Sequence, residues 1–495
     1  MNAGKRAIAA ESILTLALSA VLAGCGGGGG SVTTKPPVPV IQNINSSTTP
    51  SGSVSLPIEI NGTGFQSAPG EVIFTQGNIS ATFTPSAGGW SDTGIVAVVP
   101  TGNGTSLFTA PGMVAVTVQT SGGTSNAVNL ILVPTVTFNV NNVTWTTTTP
   151  LPTAITGLRG VAVPGVPSTT AFIVIAGGSN LLVNSTAVLS NTLNPDGAVG
   201  ASWTTIPAQP LPSPRADFGM AEADDGNSPI PVASRFVYVV GGQQNATDAP
   251  GGTNTVFVAS VNSATGAVGA WAQLTSSLPA PLVGPATTLF NGHIYVVGGL
   301  TPAGTPSTAV YSAPVNNDGT LGAWTTSPNP YPTPVSFATM FGFALNIYVL
   351  DGDSMNSTNP NAQTNDGIQT AEFAPARLGA VGAWTSTATT IKNREKHVSW
   401  LAFGQVIDAE GIYNGNPGSL ELERTTINPD ATLASWNGIT ATVNQIGANV
   451  YNAAAIVSPL LSPTNAPRFL LLGGQAYATT PPGALSKTVY VNSAP

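Results

Sequence analysis

Six tryptophans, Trp145, Trp203, Trp271, Trp324, Trp384 and Trp436, recur at intervals of 58, 68, 53, 60 and 52 residues. Five of them follow related turns: Asn194-Pro195-Asp196-Gly197, Asn262 to Gly266, Asn317-Asp318-Gly319, Leu378-Gly379 and Asn428-Pro429-Asp430. Between the tryptophans lie apolar runs that end in a glycine pair or a variant of one: Phe172 to Gly178, Phe236 to Gly242, Ile294 to Gly299, Ile347 to Gly352, Val406 to Gly411 and Phe469 to Gly474. A further strand follows each, as in Thr255 to Val261, Ala309 to Val315 and Thr488 to Val491. A repeat of this length, always in the same internal order, marks units too small to bury a core alone. Short β-rich runs punctuated by Gly, Pro and Asn make each unit a small antiparallel sheet. Charged residues are only 7% of the 495, which excludes a coiled coil and argues against a helical enzyme. A net charge of −8 leaves no basic stripe for nucleic acid.

The order of apolar run, Gly-Gly, aromatic and Trp resembles the kelch-type β-propeller, related in fold to the galactose oxidase propeller. Six glycine-pair strands and six tryptophans predict six blades over 136–495. Asp351-Gly352 and Glu410-Gly411 depart from the Gly-Gly pattern, which puts their local geometry, not the blade count, in question. The sequence ends on the third strand of its last repeat, while Val136 to Thr148, with Trp145, is an orphan outer strand at the start. Their pairing would close the ring and hide both sheet edges.

Residues 38–133 read as a separate β-sandwich, with strands at Val54 to Ile60, Glu71 to Thr75, Ser80 to Thr84, Ile95 to Val99, Met113 to Gln119 and Ala127 to Val133. The phrase Ile60-Asn61-Gly62-Thr63-Gly64-Phe65, followed by Val72-Ile73-Phe74, Trp90-Ser91-Asp92-Thr93 and Gly122 to Asn126, resembles the IPT/TIG family of immunoglobulin-like domains. The segment holds no Lys, Arg, His or Cys, and its acids are Glu59, Glu71 and Asp92. Catalysis there lacks its groups, so the expected role is a spacer. The fold class is therefore all-β: an immunoglobulin-like β-sandwich followed by a six-bladed kelch-like β-propeller.

Upstream, Lys5 and Arg6 precede an apolar run, Ile13 to Ala23, that is too short to span a bilayer. It ends in Leu22-Ala23-Gly24-Cys25, which resembles a bacterial lipoprotein signal peptide, 1–24, with Cys25 as the lipidated residue. Cys25 is the sole cysteine, so no internal disulfide exists. Residues 25–37, with Gly26 to Gly30 and Pro36-Pro37, read as a Gly/Pro-rich tether. The implied location is the cell envelope, lipid-anchored, at the outer membrane.

In four-stranded blades the blade-joining loops and the second-to-third-strand loops share one face. The blade-joining loops, or their edges, carry Arg159, Arg215, Asp217, Tyr331, Lys392, Arg394, Glu395, Lys396, His397 and Tyr451. The second-to-third-strand loops add Gln243, Asn245, Asp351, Asp353 and Tyr413. Guanidinium forks, amides and phenols are suited to glycans or protein side chains, so this face is the expected binding surface. The competing reading is that Arg215, in a Leu-Pro-x-Pro-Arg turn, braces its neighbour, and that Lys392 to His397 is simply a solvated run. Asp196, Asp318 and Asp430 read as turn formers.

Enzymatic readings fare worse. The copper-radical oxidases of this superfamily need two histidines and a Cys–Tyr crosslink, whereas this propeller has no Cys, and His293 falls on the face opposite His397. A Ser-His-Asp arrangement would need His397 with a carboxylate beside it. Paired carboxylates for glycoside cleavage would come from Asp217, Asp351, Asp353 or Glu395, and a sialidase-like cluster from Arg215, Arg394, Tyr331 and Glu395. Asp351 and Asp353 lack a full calcium-loop spacing. The expectation is a non-catalytic protein, without cofactor or metal, that binds a glycan or protein on the blade-joining loop face. Its membrane contact is through the lipid alone. No nucleic-acid partner and no oligomer are indicated. The alternatives are a carbohydrate-active enzyme on the same face and a structural envelope scaffold.

Overall fold

Alternating apolar and polar residues between Gly- and Pro-rich turns leave strand as the repeated solution, and every element assigned in the computed structural model is a β-strand. The structure describes residues 35–492 except 46–49, 86–88, 105, 134–143, 166–170, 207–208, 223–233, 246–251, 344, 355–368, 378, 403, 413–421, 429, 439–449, 460–467 and 477–482. The signal peptide, Cys25 and most of the tether therefore lie outside the described residues. So do Tyr413 and most of the long Asp351 to Asn365 loop.

Residues 37–133 form two antiparallel-rich sheets over one core. One holds Val40–Ile44, Pro57–Thr63 and Gly94–Val98. The other is built from Glu71–Gln76, Ile79–Phe83, Gly112–Thr120 and Val128–Leu132, with short edge pieces. Ile41, Ile58 and Ile60 from the first sheet meet Phe74, Val116 and Leu130 from the second. The strand Val40–Ile44 was not expected, because a proline-rich stretch precedes it.

The rest of the described chain forms six larger sheets and one two-stranded pair, Val450–Tyr451 with Gln475–Ala476. The innermost strands of the six are Thr156–Pro164, Gly219–Glu222, Ala286–Phe290, Thr339–Phe343, Val398–Ala402 and Ala454–Val457, and the sheets are numbered here in that order. Each innermost strand neighbours the next, and the sixth neighbours the first. The sixth sheet takes its outer strand, Trp145–Thr148, from the start of this region, antiparallel to Val489–Asn492 with Trp145 opposite Asn492. That is the pairing the orphan strand implied.

Two repeated contacts join neighbouring sheets. The indole N–H groups of Trp203, Trp324, Trp384 and Trp436 donate to Thr149, Ser276, Asn329 and Ala388 carbonyls at 2.8–3.4 Å, each just beyond the preceding tryptophan of the repeat. At the other end, the second residue of each glycine pair donates its N–H to a carbonyl of the next sheet's entry loop. Gly178, Gly242, Gly299, Gly352, Gly411 and Gly474 reach Arg215, Leu282, Val335, Arg394, Val450 and Ile155 at 2.7–3.1 Å. Asp351 (φ +49°) and Glu410 (φ +60°) take the same left-handed conformation as Gly177, Gly241, Gly298 and Gly473. The variant pairs therefore keep the pattern's geometry, which answers the question raised by their sequence.

The sandwich-like region touches the ring of sheets rather than hanging free of it. Val96 packs with Leu345 and Phe343 of sheet 4, and the Glu59 charge acts on Arg377 and Tyr348. Asp196, Asp318 and Asp430 cap their own turns, accepting N–H bonds from Ala198, Thr320 and Thr432 at 2.9–3.1 Å.

Candidate functional site

At or just before the start of each innermost strand one residue turns left-handed: Gly157, the second residue of its strand, and Asp217, Gly284, Phe337, Lys396 and Asn452, at φ +52° to +64°. Their backbones bond to one another around the axis. Gly157 N–H donates to Asn452 O at 3.0 Å, Asp217 to Gly157 at 3.0 Å, Gly284 to Asp217 at 2.7 Å, Phe337 to Gly284 at 2.8 Å and Asn452 to Lys396 at 2.8 Å. This collar fixes the residues that follow it, one set per sheet. Together they enclose an axial cavity of about 170 Å³ whose lining includes Arg159, Thr287, Thr339, Lys396, His397 and Asn452.

Arg159 sits half-buried on the first innermost strand, its Nη1 donating to Leu158 O at 2.8 Å and Asn452 Oδ1 at 3.2 Å. Burial lowers its basicity and the Asp217 carboxylate opposes that. Asp217 is itself held by Asn452 Nδ2 at 2.6 Å. The Lys396 ammonium lies 5.1 Å from the Phe337 ring centroid.

Beside the cavity, between sheets 4 and 5, lies a buried polar cluster. Arg394 is fully buried; its Nε lies 3.2 Å from Asp408 Oδ2, its Nη2 3.1 Å from Glu423 Oε1, and its Nη1 donates to Glu410 O at 2.8 Å. Asp351 accepts the Thr390 hydroxyl on both carboxylate oxygens, at 2.6 and 2.8 Å. Burial and the neighbouring Asp408 push the Asp351 carboxyl well above the usual range. Burial raises Asp408 to about 6, against the pull of Arg394. It raises Glu410 to about 8, although Val450 N–H donates to Glu410 Oε2 at 3.0 Å.

His397 links the cluster to the cavity. Its Nε2 lies 3.0 Å from Thr339 Oγ1 and 3.4 Å from Asp408 Oδ1, while its Nδ1 has no hydrogen-bond partner. A relay of the Ser-His-Asp kind needs the hydroxyl and the carboxylate on opposite ring nitrogens. Here both face one nitrogen. Burial and Arg394 also hold His397 down to about 3, which makes it a poor base near neutrality. Donor atoms of Asp351, His397 and Asp408 lie within 4.8 Å of one another, a spacing a metal ion would fit, but the Arg394 guanidinium already faces Asp408 there. Asp353 is not part of that trio.

The structure redistributes the expected binding residues. Arg159, Lys396 and His397 reach the cavity, and Asn245 is exposed. The others that are described are corrected from surface to interior, because polar loop residues in so charge-poor a chain are used to satisfy one another and the backbone. Arg215 is fully buried, its Nη1 donating to Ser213 Oγ and Pro214 O at 2.7 Å and its Nη2 to the Thr255 hydroxyl, with the guanidinium 4.4 Å from the Phe257 ring centroid. These contacts all lie in its own sheet and entry loop, so the side chain braces sheet 2 itself rather than a neighbour. Tyr331 is buried with its hydroxyl on Thr370 Oγ1 at 3.2 Å. Asp217, Glu395, Gln243 and Tyr451 are buried too, Glu395 pairing its backbone with Ile412 and Gln243 with Ala216. Asp217, Asp351, Asp353 and Glu395, the carboxylates considered for glycoside cleavage, are all buried outside the cavity lining. So are Arg215, Arg394, Tyr331 and Glu395 of the sialidase-like reading. Thr287 and Thr339 gave no signal in the sequence, since isolated threonines on strands are ordinary.

No family model matches the chain. Beta-scruin of Limulus polyphemus, a kelch-repeat protein, is 31% identical over 157 residues. The chain is similar to a kelch protein. The match covers 30% of this chain and 15% of beta-scruin, so only a small part of that relative is represented. The kelch likeness agrees with the all-β structure.

Proposed function

We propose that the six sheets are the blades of a kelch-like β-propeller, that residues 38–133 are an immunoglobulin-like domain of IPT/TIG type, and that the propeller binds a protein partner on the face bearing the collar and the axial cavity. The observation that carries this reading is the cavity itself, a polar recess fixed by all six innermost strands. Loops held on rigid strands make good binding platforms. The kelch likeness favours a protein as the partner. Leu182 and Val183, 77% and 64% exposed, stand on the same face in a loop pinned by Asn180 Oδ1, and such apolar tips suit a protein interface. A glycan partner is the second reading, favoured by the hydroxyl, amide and guanidinium groups of the lining. Catalysis is not part of the proposal, because His397 lacks both the relay geometry and the basicity. Lipidation at Cys25 would hold the protein at the outer membrane, and loss of fatty-acid labelling in Cys25→Ser tests it.

The binding test is affinity capture from envelope extracts with the full chain. Its comparators are Leu182→Asp plus Val183→Asp on the loop face and Leu107→Asp plus Met113→Asp on the sandwich. A protein captured by the wild type and the sandwich variant but lost from the loop-face variant supports the reading. Capture that depends on the sandwich residues, or none at all, contradicts it.

A further inference from the structure

The axial cavity has a charge character opposite to that of the whole chain. The protein carries a net charge of −8, yet the ionisable side chains in the cavity lining are Arg159, Lys396 and His397, and His397 is neutral near pH 7. The two carboxylates that touch lining residues are both engaged: Asp217 accepts from Asn452 Nδ2 at 2.6 Å, and Asp408 accepts from Ser399 Oγ at 2.7 Å and faces the Arg394 guanidinium. Of the Arg159 fork, Nη1 is committed to Leu158 O and Asn452 Oδ1. Nε and Nη2 have no further partner among the described residues. Thr287 Oγ1, on another wall, is buried without a hydrogen-bond partner. A guanidinium edge and an unmatched hydroxyl in a partly desolvated recess form a seat for a carboxylate, where a charge-assisted bond is strongest.

We propose that the axial cavity seats the acidic side chain of a protein partner, with Arg159 as its anchor. Size fits that ligand. A cavity of roughly 150 Å³ holds one benzene-sized molecule, so about 170 Å³ admits a single inserted side chain or sugar unit. Surroundings support the choice of a protein, since the loop carrying Leu182 and Val183 leads, through Ser185 O and Arg215 N–H at 3.0 Å, directly beside the chain segment that forms the collar at Asp217. An apolar contact beside a buried acid anchor is how protein interfaces concentrate their affinity.

This inference rests on the loop face being the binding face, and its test separates the two. The full chain is screened against an immobilised library of hexapeptides in which each central Glu is matched by Gln. Methyl glucuronide serves as a soluble competitor. The variants are Arg159→Gln, Arg159→Lys, which retains charge if the fold needs it, and Thr287→Val, each checked by thermal unfolding. The expected result is binding at least tenfold tighter to Glu than to Gln peptides, lost in Arg159→Gln and largely kept in Arg159→Lys. Equal binding of Gln peptides, or binding indifferent to Arg159, overturns the inference. Methyl glucuronide bound through Arg159 with no peptide bound overturns the protein source and assigns the acid preference to a sugar acid. A partner captured through Leu182 and Val183 but indifferent to Arg159 overturns this inference alone. A wild-type chain that captures nothing overturns the face itself.

Discussion

Arg215 and Arg394 occupy the same place in sheets 2 and 5, each offering its carbonyl to a glycine N–H of the sheet before it and each fully buried. Their surroundings are opposite. Arg215 meets hydroxyls, a carbonyl and an aromatic face, and burial lowers its basicity to about 10. Arg394 meets the carboxylates of Asp408 and Glu423, with Asp351 close by, and although burial works against it these charges raise its pKa. The difference traces first to Asp408 and Glu423 on the strands of sheet 5, and then to the glycine pair. Where sheets 1, 2, 3 and 6 place glycine in the left-handed position, sheets 4 and 5 place Asp351 and Glu410 at a similar φ. One backbone geometry thus serves in one region as tight sheet-to-sheet packing and in the other as a way to bring carboxylates into the interior. An acid in a left-handed conformation, surrounded by other acids, is retained at a cost.

The largest effect that sharpens this contrast is Arg394→Met. Removing the cation strands several buried carboxylates and should lower stability by about 3–5 kcal/mol in denaturant unfolding. Arg215→Met, which leaves only neutral acceptors, should cost about 1–2 kcal/mol. Equal losses would break the comparison. Next, Gly298→Ala should destabilise by roughly 2–4 kcal/mol, because its Cβ would meet Val335 O at 2.2 Å in a backbone already at φ +66°.

A smaller effect is visible in pH. The Glu410 carboxyl is raised in the fold, so the native state holds a proton that the unfolded state releases from about pH 4.5 upward. Stability from this group is present at low pH and is lost as pH rises toward about 8. Asp408 acts in the same sense up to about 6. His397 acts in the opposite sense between about 3 and 6.5, where stability rises with pH. Between pH 6.5 and 8 Glu410 still acts in this sense, as the raised Asp351 carboxyl does, and the wild type should lose about 1–2 kcal/mol more than Glu410→Gln loses. A flat wild-type profile over that range would contradict the burial argument. The smallest effect lies at the outer rim, where the two regions are alike. Trp203→Phe and Trp436→Phe each remove one indole bond to the preceding sheet and should cost about 1 kcal/mol each, beyond any loss of packing.

Much of the architecture was legible in the sequence because it is periodic. The tryptophan spacing, the glycine pairs and the orphan strand at Trp145 each state a local rule that repeats, and repetition makes weak signals add. The strand Val40–Ile44 escaped because nothing repeats it and prolines precede it. The site was legible only in part. Arg159, Lys396 and His397 were marked as loop-face residues, but Arg215 and Arg394 look alike in sequence and part company only when Asp408, Glu410 and Glu423 arrive from other strands. The collar was hidden because Asp217, Phe337, Lys396 and Asn452 adopt a glycine-like conformation that their side chains do not advertise. The one available clue was the replacement of glycine by Asp351 and Glu410, which marked an unusual place without naming its partners.

The measurement that bears most directly on the account is amide hydrogen exchange at the collar. If the six sheets close on one axis, the N–H groups of Gly157, Asp217, Gly284, Phe337 and Asn452 should exchange together, with protection close to that of global unfolding. Fast exchange at Gly157 and Asn452, with the other three protected, would mean that the first and sixth sheets part while the rest hold. It would contradict the closed ring on which the cavity depends.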